Sequence, residues 1–216
     1  MEKTELFRHV IDYFEATRPV AVTELHYKNP FELLVAVVLS AQCTDKRVNM
    51  VTPALFARFP DARSMAHASV DEVRQCIKSI SYPNSKAEYL VKGSKVLVEK
   101  FKGEIPSTIE ELTSIPGVGR KTAHVILSVV FNQPKMAVDT HVHRVAARIG
   151  LTTGAKTPLQ TEMQLVKYLP VEKIPLAHHW LILHGRYICR ARKPLCEECG
   201  LTKWCKYYNQ KVKTGK

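Results

Sequence analysis

The chain has 216 residues, 45% of them hydrophobic, with 32 Lys and Arg against 20 Asp and Glu for a net charge of +12. That length allows one large domain or two small ones with a real core, and a pI near 9.5 suits a polyanionic partner. No apolar run approaches the roughly 18 residues needed to cross a bilayer, and the opening Met-Glu-Lys-Thr-Glu-Leu-Phe lacks a signal core and a transit-peptide bias. The expectation is therefore a cytoplasmic protein with no membrane partner.

Helical periodicity recurs along nearly the whole chain. Leu6, Val10, Ile11 and Phe14 form a first stripe, and Phe31, Leu34, Val35, Val38 and Leu39 form a second that runs into Ser40-Ala41-Gln42. Further helical windows span residues 70–80, 86–101, 109–115, 122–131 and 176–188. Breaks are predicted at Pro53, Pro60, Pro83, 103–106, Pro134, 150–158 and 170–175, where Pro or Gly punctuates the pattern. Alternating strand patterns are almost absent and no linker is long. The predicted fold class is all-α.

Residues 112–123 read Leu-Thr-Ser-Ile-Pro-Gly-Val-Gly-Arg-Lys-Thr-Ala, with Gly117, Val118, Gly119 and Arg120 standing just before a strong helix. Glycines there let the backbone turn and leave N–H groups open at a helix N-terminus, a place that accepts phosphate oxygens. A lone Gly-x-Gly would be weak evidence, but the full run looks like a helix–hairpin–helix, a sequence-independent grip on one DNA strand. Lys121 falls in the first turn of the following helix, where the positive end of the dipole disfavours a cation and suits a nucleophilic amine. A phosphate-binding lysine fits the same position. The carboxylate candidate is Asp139, in Ala-Val-Asp-Thr-His-Val-His-Arg-Val, at the start of an amphipathic helix with Val142, Val145, Ala146 and Ile149 on one face. An N-cap is the competing role for it.

Near the end, Cys189, Cys196, Cys199 and Cys205 stand in the spacing C-x6-C-x2-C-x5-C. Four clustered thiolates suit zinc or an iron–sulfur cluster, and two disulfides are the alternative. Residues 186–216 carry nine Lys or Arg against Glu197 and Glu198, a net +7. Cys43 and Cys76 lie far from this spacing and read as ordinary reduced thiols.

Together these motifs resemble the endonuclease III family of base-excision DNA glycosylases, over nearly the whole chain. The resemblance rests on Pro30-Phe31-Glu32-Leu33-Leu34, Leu39-Ser40-Ala41-Gln42, Asn84-Ser85-Lys86-Ala87, the hairpin and Val138-Asp139-Thr140-His141. It continues through His179-Trp180-Leu181-Ile182-Leu183-His184-Gly185-Arg186 to the four cysteines, the family's [4Fe–4S] signature. It implies two helical lobes with DNA across the cleft between them: a six-helix barrel over 23–133 with the hairpin at about 109–131, and a second lobe of 1–22 plus 134–216. It implies one [4Fe–4S] cluster per chain on Cys189, Cys196, Cys199 and Cys205. Zinc sites usually show two close Cys/His pairs, whereas six residues separate the first two cysteines here.

The resemblance further implies a monomer acting on double-stranded DNA that contains oxidised pyrimidines or abasic sites. Lys121 would attack C1′ of a nucleotide rotated out of the duplex, with Asp139 accepting the amine proton or stabilising the oxocarbenium-like sugar. The Schiff base on Lys121 would then cut the strand by β-elimination. Gln42 would fill the gap left by the base, His141 would stand near the lesion pocket, and Gly117, Val118, Gly119, Arg120, Arg144, Arg190, Arg192 and Lys193 would contact DNA.

This sequence departs from the family pattern at Tyr82, where many relatives carry a wedging Leu, and tyrosine can stack on the orphaned base. Cys43, His124 and His143 also replace commoner family residues. An adenine-mismatch glycosylase of the same fold would lack the lysine at position 121. A non-catalytic DNA-binding module would need neither Lys121 nor Asp139.

Overall fold

The computed structural model describes residues 2–214; Met1 and the last two residues of the basic segment, Gly215 and Lys216, lie outside it. Among the described residues the chain forms twelve α-helices and no strand. They are α1 (Lys3–Thr17), α2 (Pro30–Ser40), α3 (Asp45–Arg58), α4 (Ala62–His67), α5 (Val70–Cys76), α6 (Pro83–Phe101), α7 (Ile109–Thr113), α8 (Arg120–Val129), α9 (Thr140–Ile149), α10 (Pro158–Val166), α11 (Ile174–Tyr187) and α12 (Lys206–Thr214). The chain divides into two compact units, Glu24–Asn132 and Met1–Thr23 with Gln133–Lys216.

The Glu24–Asn132 unit is built round α2. The sequence suggests a stripe on this helix, yet every residue from Phe31 to Leu39 is buried, as expected of a helix that is apolar all round. Its one carboxylate, Glu32, is satisfied by the backbone N–H of Lys28 at 2.7 Å. Short polar residues start the surrounding helices. Asn29 caps α2, Thr44 caps α3, Thr108 caps α7, and Asp61 and Ser69 make reciprocal capping boxes with Ser64 and Glu72. Pro53 does not break the chain as predicted; it lies inside α3. The buried stripe of Val48, Thr52 and Leu55 continues across it, so tertiary burial outweighs the lost backbone bond. The window at 70–80 is likewise shorter than expected and ends at Cys76.

The other unit joins the N-terminal helix to the C-terminal half of the chain. Leu6, Phe7, Val10 and Phe14 of α1 share one core with Val142, Val145, Ala146 and Ile149 of α9 and with Ala177, Trp180 and Leu181 of α11. Phe14 stacks on Trp180 at 5.7 Å, and the Trp180 indole donates to the Arg18 carbonyl at 2.8 Å. Lys173 and Glu15 add an ion pair between the same two segments. His143, unassigned from sequence, pairs its Nδ1 with the buried Thr161 hydroxyl at 2.7 Å and so ties α9 to α10.

Candidate nucleic-acid interface and iron–sulfur centre

In the Glu24–Asn132 unit the hairpin runs between α7 and α8. Ile115 and Val118 are buried and anchor it, and the Val118 N–H bonds the Ile115 carbonyl at 3.0 Å. Gly117 has φ +84, and a Cβ there would stand 2.7 Å from the Tyr89 Cβ, so only glycine fits. Gly119 is different. Its φ is −90 and a Cβ would meet nothing within 4 Å, so its backbone faces open space. No side chain caps α8, and Lys121 is exposed in its first turn. The hairpin thus presents a helix N-terminus, an open glycine backbone and an exposed amine together.

Gln42 and Tyr82 lie in two neighbouring loops of the same unit. Both are exposed and both adopt the left-handed region, at φ 54 and 56. For non-glycine residues that conformation costs about 1–2 kcal/mol each, and such strain concentrates at functional sites. The Ser81 hydroxyl donates to the Gln42 carbonyl at 2.8 Å and joins the loops. Cys43 and Cys76 are free thiols.

Asp139 belongs to the other unit and heads α9. Its Oδ1 accepts the backbone N–H groups of His141 and Val142, each at 2.8 Å, so it is an N-cap. Oδ2 carries no hydrogen bond among the described residues, which leaves half the carboxylate for other chemistry. One turn on, Arg144 approaches His141 Nδ1 at 3.2 Å and donates to the carbonyls of Gly185 (2.8 Å) and Cys189 (3.2 Å). Burial keeps His141 below its usual range, against the opposing pull of the Asp139 carboxylate. Gly185 lets α11 approach this closely, because a Cβ there would stand 2.9 Å from that of His141.

Cys189, Cys196, Cys199 and Cys205 line one pocket with Ile188, Leu195 and Tyr207. Among the described residues no three His, Cys, Asp or Glu side chains are grouped for a metal ion; the four thiols surround a shared space instead. Burial pushes the Cys199 thiol up to about 11 against the opposing hydrogen bond of the Leu201 backbone, with smaller contributions from Cys205, Cys189 and Cys196. Four thiolates there need a positive centre between them, and an iron–sulfur core supplies it. His184 Nε2 stands 3.6 Å from Cys199 Sγ. The Leu195 N–H closes the intervening loop on the Ile188 carbonyl at 2.9 Å, and Arg190, Arg192 and Lys193 project from it, exposed, with Lys193 left-handed at φ 49.

The sequence reading missed the residue that supports this loop from beneath. Arg148 donates to the carbonyls of Arg190 at 2.6 Å and Ala191 at 3.0 Å, reaches Cys189 Sγ at 3.6 Å and stacks on Tyr207 at 4.7 Å. Its one sequence signal is the i, i+4 spacing from Arg144.

Residues 35–171 match the HhH-GPD superfamily of base excision DNA repair proteins, and residues 189–205 match the iron–sulfur binding domain of endonuclease III. The chain is 44% identical to the endonuclease III of Rickettsia felis over 210 residues, covering 97% of this chain and 98% of that one. It is 43% identical to the Escherichia coli endonuclease III over 198 residues, covering 92% and 93%. A solved structure of an endonuclease III–DNA covalent intermediate matches with a TM-score of 0.93 at 40% identity, covering 98% of this chain and all of that one.

Proposed function

The chain belongs to the endonuclease III family of DNA glycosylase/AP lyases, and from that premise we propose that it removes oxidised pyrimidines from duplex DNA and cuts the abasic site through Lys121. The observation that carries this reading is the exposed Lys121 in the uncapped first turn of α8, directly after a hairpin fit for a DNA strand. Lys121 Nζ attacks C1′, the C1′–N bond breaks and the base departs with a proton. Positive charge builds on the sugar during this step, and Asp139 stabilises it with its carboxylate. The C1′–O4′ bond then breaks as the sugar ring opens, O4′ taking up a proton, which leaves an imine between C1′ and Lys121. The imine acidifies C2′, loss of a C2′ proton expels the 3′ phosphate, and hydrolysis frees the amine.

Gln42 occupies the space vacated by the base, Tyr82 stacks on the opposite base, and His141 stands near the damaged one. Gly117, Gly119, Arg120, Arg144, Arg190, Arg192 and Lys193 take the phosphates, whereas Val118, buried and with its N–H on the Ile115 carbonyl, holds the hairpin in shape for them. The protein carries a [4Fe–4S] cluster, held by Cys189, Cys196, Cys199 and Cys205, which shapes the loop rather than reacting. No helix among the described residues is long and apolar enough to cross a membrane, and the relatives are bacterial; the reading places the protein with cytoplasmic DNA, as a monomer.

Borohydride trapping on duplexes carrying thymine glycol, dihydrouracil, 8-oxoguanine or a plain abasic site tests this. Trapping is expected on the two pyrimidine lesions and the abasic site, and is lost in Lys121→Gln. Trapping that persists in Lys121→Gln would show that the nucleophile is another residue.

A further inference from the structure

Lys86 is one of the few buried charged side chains among the described residues, at 5% exposure, and the proposed chemistry makes no use of it. Its ammonium donates to the carbonyls of Leu39 at 2.8 Å and Ala41 at 2.7 Å. These lie at the C-terminus of α2, where carbonyls lack helical partners and the dipole is negative. Its own backbone N–H donates to the Tyr82 carbonyl at 3.1 Å. Beside it, Ser81 holds the Gln42 carbonyl.

Tyr82 belongs to the segment 81–86, its carbonyl accepting the Lys86 N–H at the start of α6, and the left-handed Gln42 is fastened to that segment by its own carbonyl through Ser81. The residue before Gln42 is fastened there too, by Lys86. Burial disfavours the charged amine, with Cys43 pulling the other way, and the two carbonyl bonds offset part of that cost. A buried cation bonded to two backbone carbonyls at the end of α2 fixes the relation of two loops.

We infer that Lys86, with Ser81, is a positioning residue that joins the Gln42 loop and the Tyr82 loop into one preorganised wedge. The inference rests on the proposed DNA contacts of those two side chains. A wedge whose parts are aligned before binding loses less conformational freedom when it enters the duplex. It matters for paired DNA, where a base must be extruded and its space filled, and much less for a single strand.

The experiment uses the cluster-loaded full chain and measures the ratio of duplex to single-strand nicking at an abasic site. Lys86→Met is expected to lower that ratio roughly tenfold, and Ser81→Ala about threefold, the worth of one neutral hydrogen bond. The double variant Gln42→Ala/Tyr82→Ala is expected to lower it as well, and adding Lys86→Met to that background to change little further. A ratio that falls with Gln42→Ala/Tyr82→Ala but not with Lys86→Met or Ser81→Ala overturns the coupling and leaves the DNA contacts standing. A ratio unmoved in all of them overturns both. If Lys86→Met does not fold, Ser81→Ala decides.

Discussion

The carboxylate of Asp139 accepts the backbone N–H of Val142 at 2.8 Å, so the residue proposed to stabilise charge on the sugar also starts α9. The two roles are separable by substitution. Asp139→Asn keeps a capping oxygen and removes the charge; its melting temperature should stay near wild type while single-turnover base release falls about 100-fold or more. Asp139→Ala should lose the same activity and about 1 kcal/mol of stability in addition. Equal stability loss in both variants would count against the cap, and full activity in Asp139→Asn against the charge.

The two hairpin glycines should respond differently to alanine. Gly117→Ala forces a side chain into a positive φ and onto Tyr89, and should cost about 2–4 kcal/mol in denaturant unfolding. Gly119→Ala meets no atom and should change stability by less than about 1 kcal/mol. It should weaken duplex binding all the same, because the new methyl would stand where the backbone is proposed to approach a phosphate.

Arg190, Arg192 and Lys193 project from the cysteine loop and are expected to neutralise phosphates. Alanine at all three should make the dependence of log affinity on log salt shallower by roughly 0.9 per contact. An unchanged slope in a filter or anisotropy titration would remove this loop from the DNA interface.

His179 is buried on α11, and desolvation alone pushes it from 6.5 down to about 4. The unfolded chain therefore binds a proton between those values that the folded chain refuses. Stability is complete above pH 6.5 and falls as the pH drops toward 4, by roughly 3 kcal/mol for this group. Urea unfolding across that range should show a shallower slope in His179→Leu than in the wild type. Parallel slopes would mean that His179 is not the group responsible.

The sequence by itself determined the fold class, the family and the residue types of the site, because each is written in short-range pattern. The 3.6-residue period reports helices directly, a hairpin is a property of a dozen consecutive residues, and the cysteine spacing lies within seventeen positions. Contacts between residues distant in sequence left no such trace. Only the tertiary structure put Arg148 beneath the loop of Arg190 and Ala191, 42 and 43 positions later. Only it placed the Lys86 ammonium on carbonyls 45 and 47 positions earlier. It also decided that Pro53 continues a helix that local rules would stop, and that Gln42 and Tyr82 sit in a conformation their own side chains disfavour. In each case burial and hydrogen bonding from elsewhere in the chain outweigh a local preference of about 1–3 kcal/mol, and a local pattern contains no information about that balance.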